Sequence, residues 1–167
     1  MSTFKKRAAA AGVVALVLVA GLLTVSVIAQ ATGATPALDV RGGGTSIVAG
    51  GTGAPDFSPV ITKVAFHWRH GDGRFECLAL TPSAAAGSPG SGNFDTNAMY
   101  VTGTVDSARV ADGSVVLEGS ATVTGLGAGS NRPFRLTATR GGPGTRLVLE
   151  VSGLTFDETL LEGQIRF

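Results

Sequence analysis

From Val60 onward, apolar and polar residues trade places one by one, the period of a strand with one face buried. In residues 60–70 (VITKVAFHWRH), Val64, Phe66 and Trp68 fall on one side, with Lys63, His67 and Arg69 on the other. The run RFECLALT places Phe75, Cys77 and Ala79 together, opposite Arg74 and Glu76. Met99, Val101 and Val105 oppose Tyr100, Thr102 and Thr104; Val115, Leu117, Ala121 and Val123 oppose Glu118, Ser120, Thr122 and Thr124. Phe134, Leu136 and Ala138 alternate with Arg135, Thr137 and Thr139, and Leu147, Leu149 and Val151 alternate with Glu150 and Ser152. The chain closes on Ile165 and Phe167 flanking Arg166.

Turn chemistry punctuates these runs. His70-Gly71-Asp72-Gly73, Asp112-Gly113 and Gly141-Gly142-Pro143-Gly144 supply the glycine and Asp signals of tight connections. Residues 82–97 (PSAAAGSPGSGNFDTN) read as a long loop, and residues 125–131 as a shorter one. The pattern predicts an all-β domain over 59–167: an antiparallel up-and-down meander of seven or eight strands, closed or nearly closed into a barrel. A β-sandwich is the alternative, since one-faced strands can also bury their apolar faces as two packed sheets. Sequential hairpins favour the barrel, which also removes edge strands. Residues 32–58 are rich in Gly, Thr, Ala and Pro and read as a linker holding one short strand, from Thr45 to Ala49.

Ahead of the linker, Lys5, Lys6 and Arg7 precede an uncharged apolar stretch of 22 residues, Ala8 to Ala29, and then the small-residue pattern Ala29-Gln30-Ala31. This is the three-part form of a secretory signal peptide, so residues 1–31 read as a leader helix cleaved before Thr32. The same stretch is long enough to span a bilayer, which makes an uncleaved anchor the alternative and the only membrane contact the sequence offers. The protein is therefore expected to be secreted or held in the cell envelope.

The leader changes the charge account. Of 167 residues, 13 are Lys or Arg and 12 Asp or Glu, a net charge of +1. Without residues 1–31 the basic count falls to 10 and the balance to −2. No run of basic residues remains to neutralise phosphates, so nucleic acid is not an expected partner. A single cysteine excludes a disulfide framework and a multi-thiolate zinc site. Cys77 shares a face with Phe75 and Ala79, which predicts a dry, inert thiol.

Few residues invite chemistry. His67 and His70 are the only histidines, and three positions apart on a strand they face opposite ways. With Asp72 they could meet a metal only if the strand ends between them. A Cys77–His nucleophile pair needs an accessible thiol, and no Gly-x-Ser-x-Gly elbow leads into a helix. The glycines of residues 125–129 are followed by a strand, unlike a phosphate loop, which leads into a helix. Asp157, Glu158 and Glu162, with Asp56 or Asp95, hold enough oxygens for calcium only if they converge; otherwise they form a solvated turn. No metal, cofactor or catalytic set is expected.

Several segments together resemble the post-COAP type of small exported bacterial β domain. They are Ala65-Phe66, Gly73-Arg74-Phe75, the Val-x-Gly-x-Val run from Val101 to Val105, and LEGSATVTG at residues 117–125. Pro133-Phe134-Arg135-Leu136, the turn at residues 141–144 and Leu161-Glu162-Gly163-Gln164-Ile165 complete the set. The resemblance spans roughly residues 60–167 and implies an exported β module, often C-terminal, without assigned catalytic residues. In that family an acidic residue often precedes the Gly-x-Pro-Gly turn and another follows it; here Arg140 and Thr145-Arg146 stand in those places.

Three functions fit these observations. The first is a non-enzymatic exported β domain, a structural or interaction module of the envelope with a protein partner. The second is a barrel that takes a small apolar ligand, lined by Phe66, Trp68, Phe75, Met99 and Phe134. The third is a barrel enzyme, an isomerase or hydrolase using His67, His70 or Glu76 as acid or base. A filled interior argues for the first; a void with a polar group at its base argues for the others.

Overall fold

The structure, a computed structural model, describes residues 38–48, 59–84, 87–90 and 92–167. The expected leader, its cleavage site and most of the expected linker outside β1 lie beyond these residues.

Eight strands follow one another: β1 (Asp39–Val48), β2 (Ile61–Arg69), β3 (Asp72–Pro82), β4 (Phe94–Ala111), β5 (Ser114–Gly125), β6 (Gly129–Thr139), β7 (Arg146–Val151) and β8 (Leu154–Arg166). Each pairs antiparallel with the next, and β8 returns to β1, so the sheet is a closed up-and-down barrel. Closure decides against the sandwich. No helix occurs among the described residues.

The alternation read from the sequence points inward as expected. Val64, Phe66, Phe75, Cys77, Ala79, Met99, Val101, Val105, Val115, Leu117, Ala121, Val123, Phe134, Leu136, Ala138, Leu147, Leu149 and Val151 form one buried cluster, with Trp68 packed against it. Three connections are two-residue hairpins with positive φ at His70 and Gly71, Asp112 and Gly113, and Ser152 and Gly153. That is the turn whose twist matches the flanking strands.

Two boundaries differ from the sequence reading. The short strand expected from Thr45 to Ala49 is a full stave, Asp39–Val48, so the barrel draws on the segment read as linker. Gly42-Gly43-Gly44, within the segment expected to be linker, serve close packing. A Cβ on Gly42 would lie 2.8–2.9 Å from Phe66 ring carbons, and one on Gly44 would lie 2.9 Å from the Gly163 Cα of β8. The loop expected over residues 82–97 is also shorter, because β4 begins at Phe94.

Glycines facing aromatics recur around the barrel. Gly42 pairs with Phe66, Gly73 with Trp68, Gly103 with Phe75 and Gly119 with Phe134. An eight-stranded barrel is just wide enough for side chains to fill it, and a bare Cα opposite each ring makes the necessary room. The Phe75 and Phe134 rings then stack, with centroids 4.8 Å apart and planes 22° from parallel.

Candidate functional site

One polar group enters this apolar interior. Along β8, Phe156, Glu158 and Leu160 alternate with Asp157 and Thr159, so adjacent carboxylates face opposite ways. Glu158 is 4% exposed. It accepts hydrogen bonds from Ser46 Oγ on β1 and, at 3.1 Å, from Thr62 Oγ1 on β2. Ser46 and Thr62 are themselves buried, at 0% and 1% exposure. Asp157 points outward into a bidentate pair with Arg146, at 2.8 and 2.7 Å. Glu162 accepts from Thr45 Oγ1 at 2.6 Å, also on the outer wall.

The Asp157, Glu158 and Glu162 oxygens therefore do not converge, and the expected solvated turn is instead part of strand β8. Among the described residues no three His, Cys, Asp or Glu side chains gather in a way that would hold a metal ion. His67 lies exposed on the outer face of β2 and His70 in the hairpin after it.

The electrostatics of the buried trio follow from its surroundings. Desolvation raises the Glu158 pKa, the two hydroxyl donors oppose that shift, and the nearby Asp157 charge adds to it. Burial pushes the Cys77 thiol far up, with the Glu158 charge adding to the rise. Both causes favour the neutral thiol over the nucleophilic thiolate. Every buried side-chain nitrogen and oxygen among the described residues has a hydrogen-bond partner. The trio is internally hydrogen-bonded, each of its polar atoms having a partner within the barrel.

Of the ring of residues named for a ligand cavity, Phe66, Phe75, Met99 and Phe134 are 1–4% exposed and packed into the core. Trp68 is half-buried beside them. Concavities lined by outer-wall residues also touch Phe66, Phe75 and Phe134 of that ring. One of about 700 Å³ lies over β5 to β8, between Glu118, Arg132, Arg135 and Glu150. Others of about 390, 250 and 280 Å³ lie on the wall from β8 through β1 to β4, beside His67, Arg74, Glu76, Tyr100 and Arg41.

Sequence reasoning named Glu158 but placed it in a turn, and it missed Ser46 and Thr62 altogether. The alternation of Phe156, Glu158 and Leu160 carried the signal for Glu158. Nothing local marked its two partners, which arrive from strands more than ninety positions away. No family model, curated protein or solved structure matches the chain. The site therefore rests on its own chemistry.

Proposed function

We propose that this chain is an exported, non-enzymatic β-barrel domain that works as a structural or interaction module of the cell envelope. The observation that carries the reading is the interior. Stacked aromatics set against glycines occupy the space where a ligand or substrate would sit. The groups with chemical potential lie inside: Cys77 is buried where desolvation favours its neutral thiol, and Glu158 is held by Ser46 and Thr62. What remains for recognition is the outer wall, with its exposed charges and shallow concavities. The leader pattern at residues 1–31 supports export, and the post-COAP resemblance agrees with an exported β module.

Two measurements test this. Fractionation of cells expressing the full chain should recover it in the envelope or medium, beginning at Thr32. Recovery in the cytoplasm with Met1 intact would overturn the export. Titration with the apolar fluorophore 1-aminoanthracene should give no saturable signal. One-to-one binding would replace the module with the apolar-ligand barrel.

A further inference from the structure

One strand is held into the barrel less firmly than the rest. β1 buries a single apolar side chain, Val40, where every other strand buries two or more. Gly42-Gly43-Gly44 follow, and from there to Val48 the one fully buried side chain is that of Ser46. The ladder is also irregular on this stretch. Thr45 pairs with Glu162 and Ser46 with Leu160, so Leu161 is passed over, and such a bulge interrupts the hydrogen bonding between strands. A segment with few buried apolar contacts opens at a lower free energy than the core.

Glu158 ties this end down. Ser46 Oγ carries one hydrogen and has two acceptors within reach, Glu158 Oε2 and, at 3.4 Å, the Thr62 carbonyl. A neutral Glu158 completes a circuit. Its own O–H donates to Ser46 Oγ, Ser46 donates to the Thr62 carbonyl, and Thr62 Oγ1 donates to Glu158 Oε1 at 3.1 Å. Each hydrogen then has an acceptor, and β8, β1 and β2 are joined. An ionised Glu158 instead draws the Ser46 hydrogen to itself and carries a charge that no Lys, Arg or His among the described residues pairs with. β7 sets Leu147 opposite it and keeps Arg146 outside, bound to Asp157. β2 keeps Lys63 exposed on the outer face. The groups whose charge reaches it are Asp157, of like sign, and the Cys77 thiol of β3. A buried charge without a counter-ion is costly.

We propose that Glu158 is a pH-operated latch on the seam where the barrel closes: as a neutral acid it ties the end of β1, Thr45 to Val48, to β8 and β2, and on ionisation it lets that end out into water. Burial makes Glu158 a weaker acid in the closed seam than in water, so opening releases a proton. Above the ordinary carboxyl range of about 4.3, each pH unit therefore multiplies the opening constant by about ten. The rise levels off once the pH passes the value at which Glu158 ionises in the closed seam. The latch is independent of what the outer wall binds.

The test is amide hydrogen exchange followed by NMR between about pH 5 and pH 8, on the protein purified as the expressing cell processes it. Corrected for intrinsic exchange, the opening constant of the amides from Thr45 to Val48 and of their β8 partners should climb about tenfold per pH unit before it levels off. At each pH these amides should open at least about a hundredfold more often than those of β5 and β6 on the opposite wall. Glu158→Gln, whose amide reproduces the donor and acceptor of the neutral acid, should keep the seam closed and flatten the climb. Glu162→Gln, which meets Thr45 across the same seam on the outer face, should leave the climb as it is. Infrared spectra of the parent give a second readout that needs no variant. The carbonyl stretch of a protonated carboxyl should persist above about pH 4.3 and vanish at the pH where the climb levels off. A parent opening constant that does not change with pH, a climb that survives in Glu158→Gln, equal opening of β5 and β6, or no such carbonyl stretch would overturn the proposal.

Discussion

Truncating Phe134 to alanine tests whether the barrel is filled. The ring is 4% exposed, stacks on Phe75 at 4.8 Å and rests against Gly119, where a Cβ would stand 2.9 Å from Phe134 Cε1. A ring packed between Phe75 and Gly119 leaves a cavity that its neighbours cannot close without moving β5. Phe→Ala substitutions at such positions cost about 3–5 kcal/mol, of which the lost stack accounts for about 0.5–1.5 kcal/mol. Against a domain stability of about 5–15 kcal/mol, the variant should fold with its melting midpoint lowered by about 12–20 °C. Urea unfolding followed through Trp68, the single tryptophan, should show a shifted midpoint with an unchanged slope. Benzene should raise the midpoint of the variant and leave the parent as it was, since an apolar cavity of that kind stays dry and takes such a ligand. A loss below about 1 kcal/mol, or a parent that benzene also stabilises, would mean that the ring faces open space. The filled-interior argument would then be wrong.

Other outcomes follow from the same interior. Burial raises the Glu158 pKa in the folded chain, so its contribution to stability is complete below the ordinary carboxyl range of about 4.3 and is lost as pH rises through the folded value. Glu158→Gln should match the parent near pH 4 and melt above it at pH 8; a difference that does not change with pH refutes the assignment. Cys77 should resist Ellman's reagent in the native protein and react fully once unfolded, whereas native reactivity at a free-thiol rate would place it outside the core. Gly119→Ala should destabilise by about 1–3 kcal/mol, because its Cβ would meet the Thr104 carbonyl oxygen and the Phe134 ring. Gly142→Ala, with its nearest neighbour 3.7 Å away, should be close to neutral in the same denaturation assay.

Alternation alone determined the class of this fold and the inward face of six of its eight strands, β2 to β7, because side-chain direction has a period of two that each strand displays by itself. Turn residues at 70–71 and 112–113 set hairpin boundaries for the same local reason. Only the end of β1, from Thr45, was legible as strand, because its glycines are indistinguishable from loop glycines until Phe66 and the β8 backbone are seen pressing against them. A bulge at Thr45/Ser46, where β1 meets β8, carries the register past Leu161. Glu158 and Ile165 therefore both face inward although they differ in parity. Only tertiary structure decided what lies beside what. Glu158, Ser46 and Thr62 meet through barrel closure, and Arg166, Arg41, His67 and Arg74 form one row although no two of them are closer than seven positions in the chain. Register between strands is a property of the closed sheet, fixed by the joint burial of every apolar face at once, and no single stretch of sequence contains it.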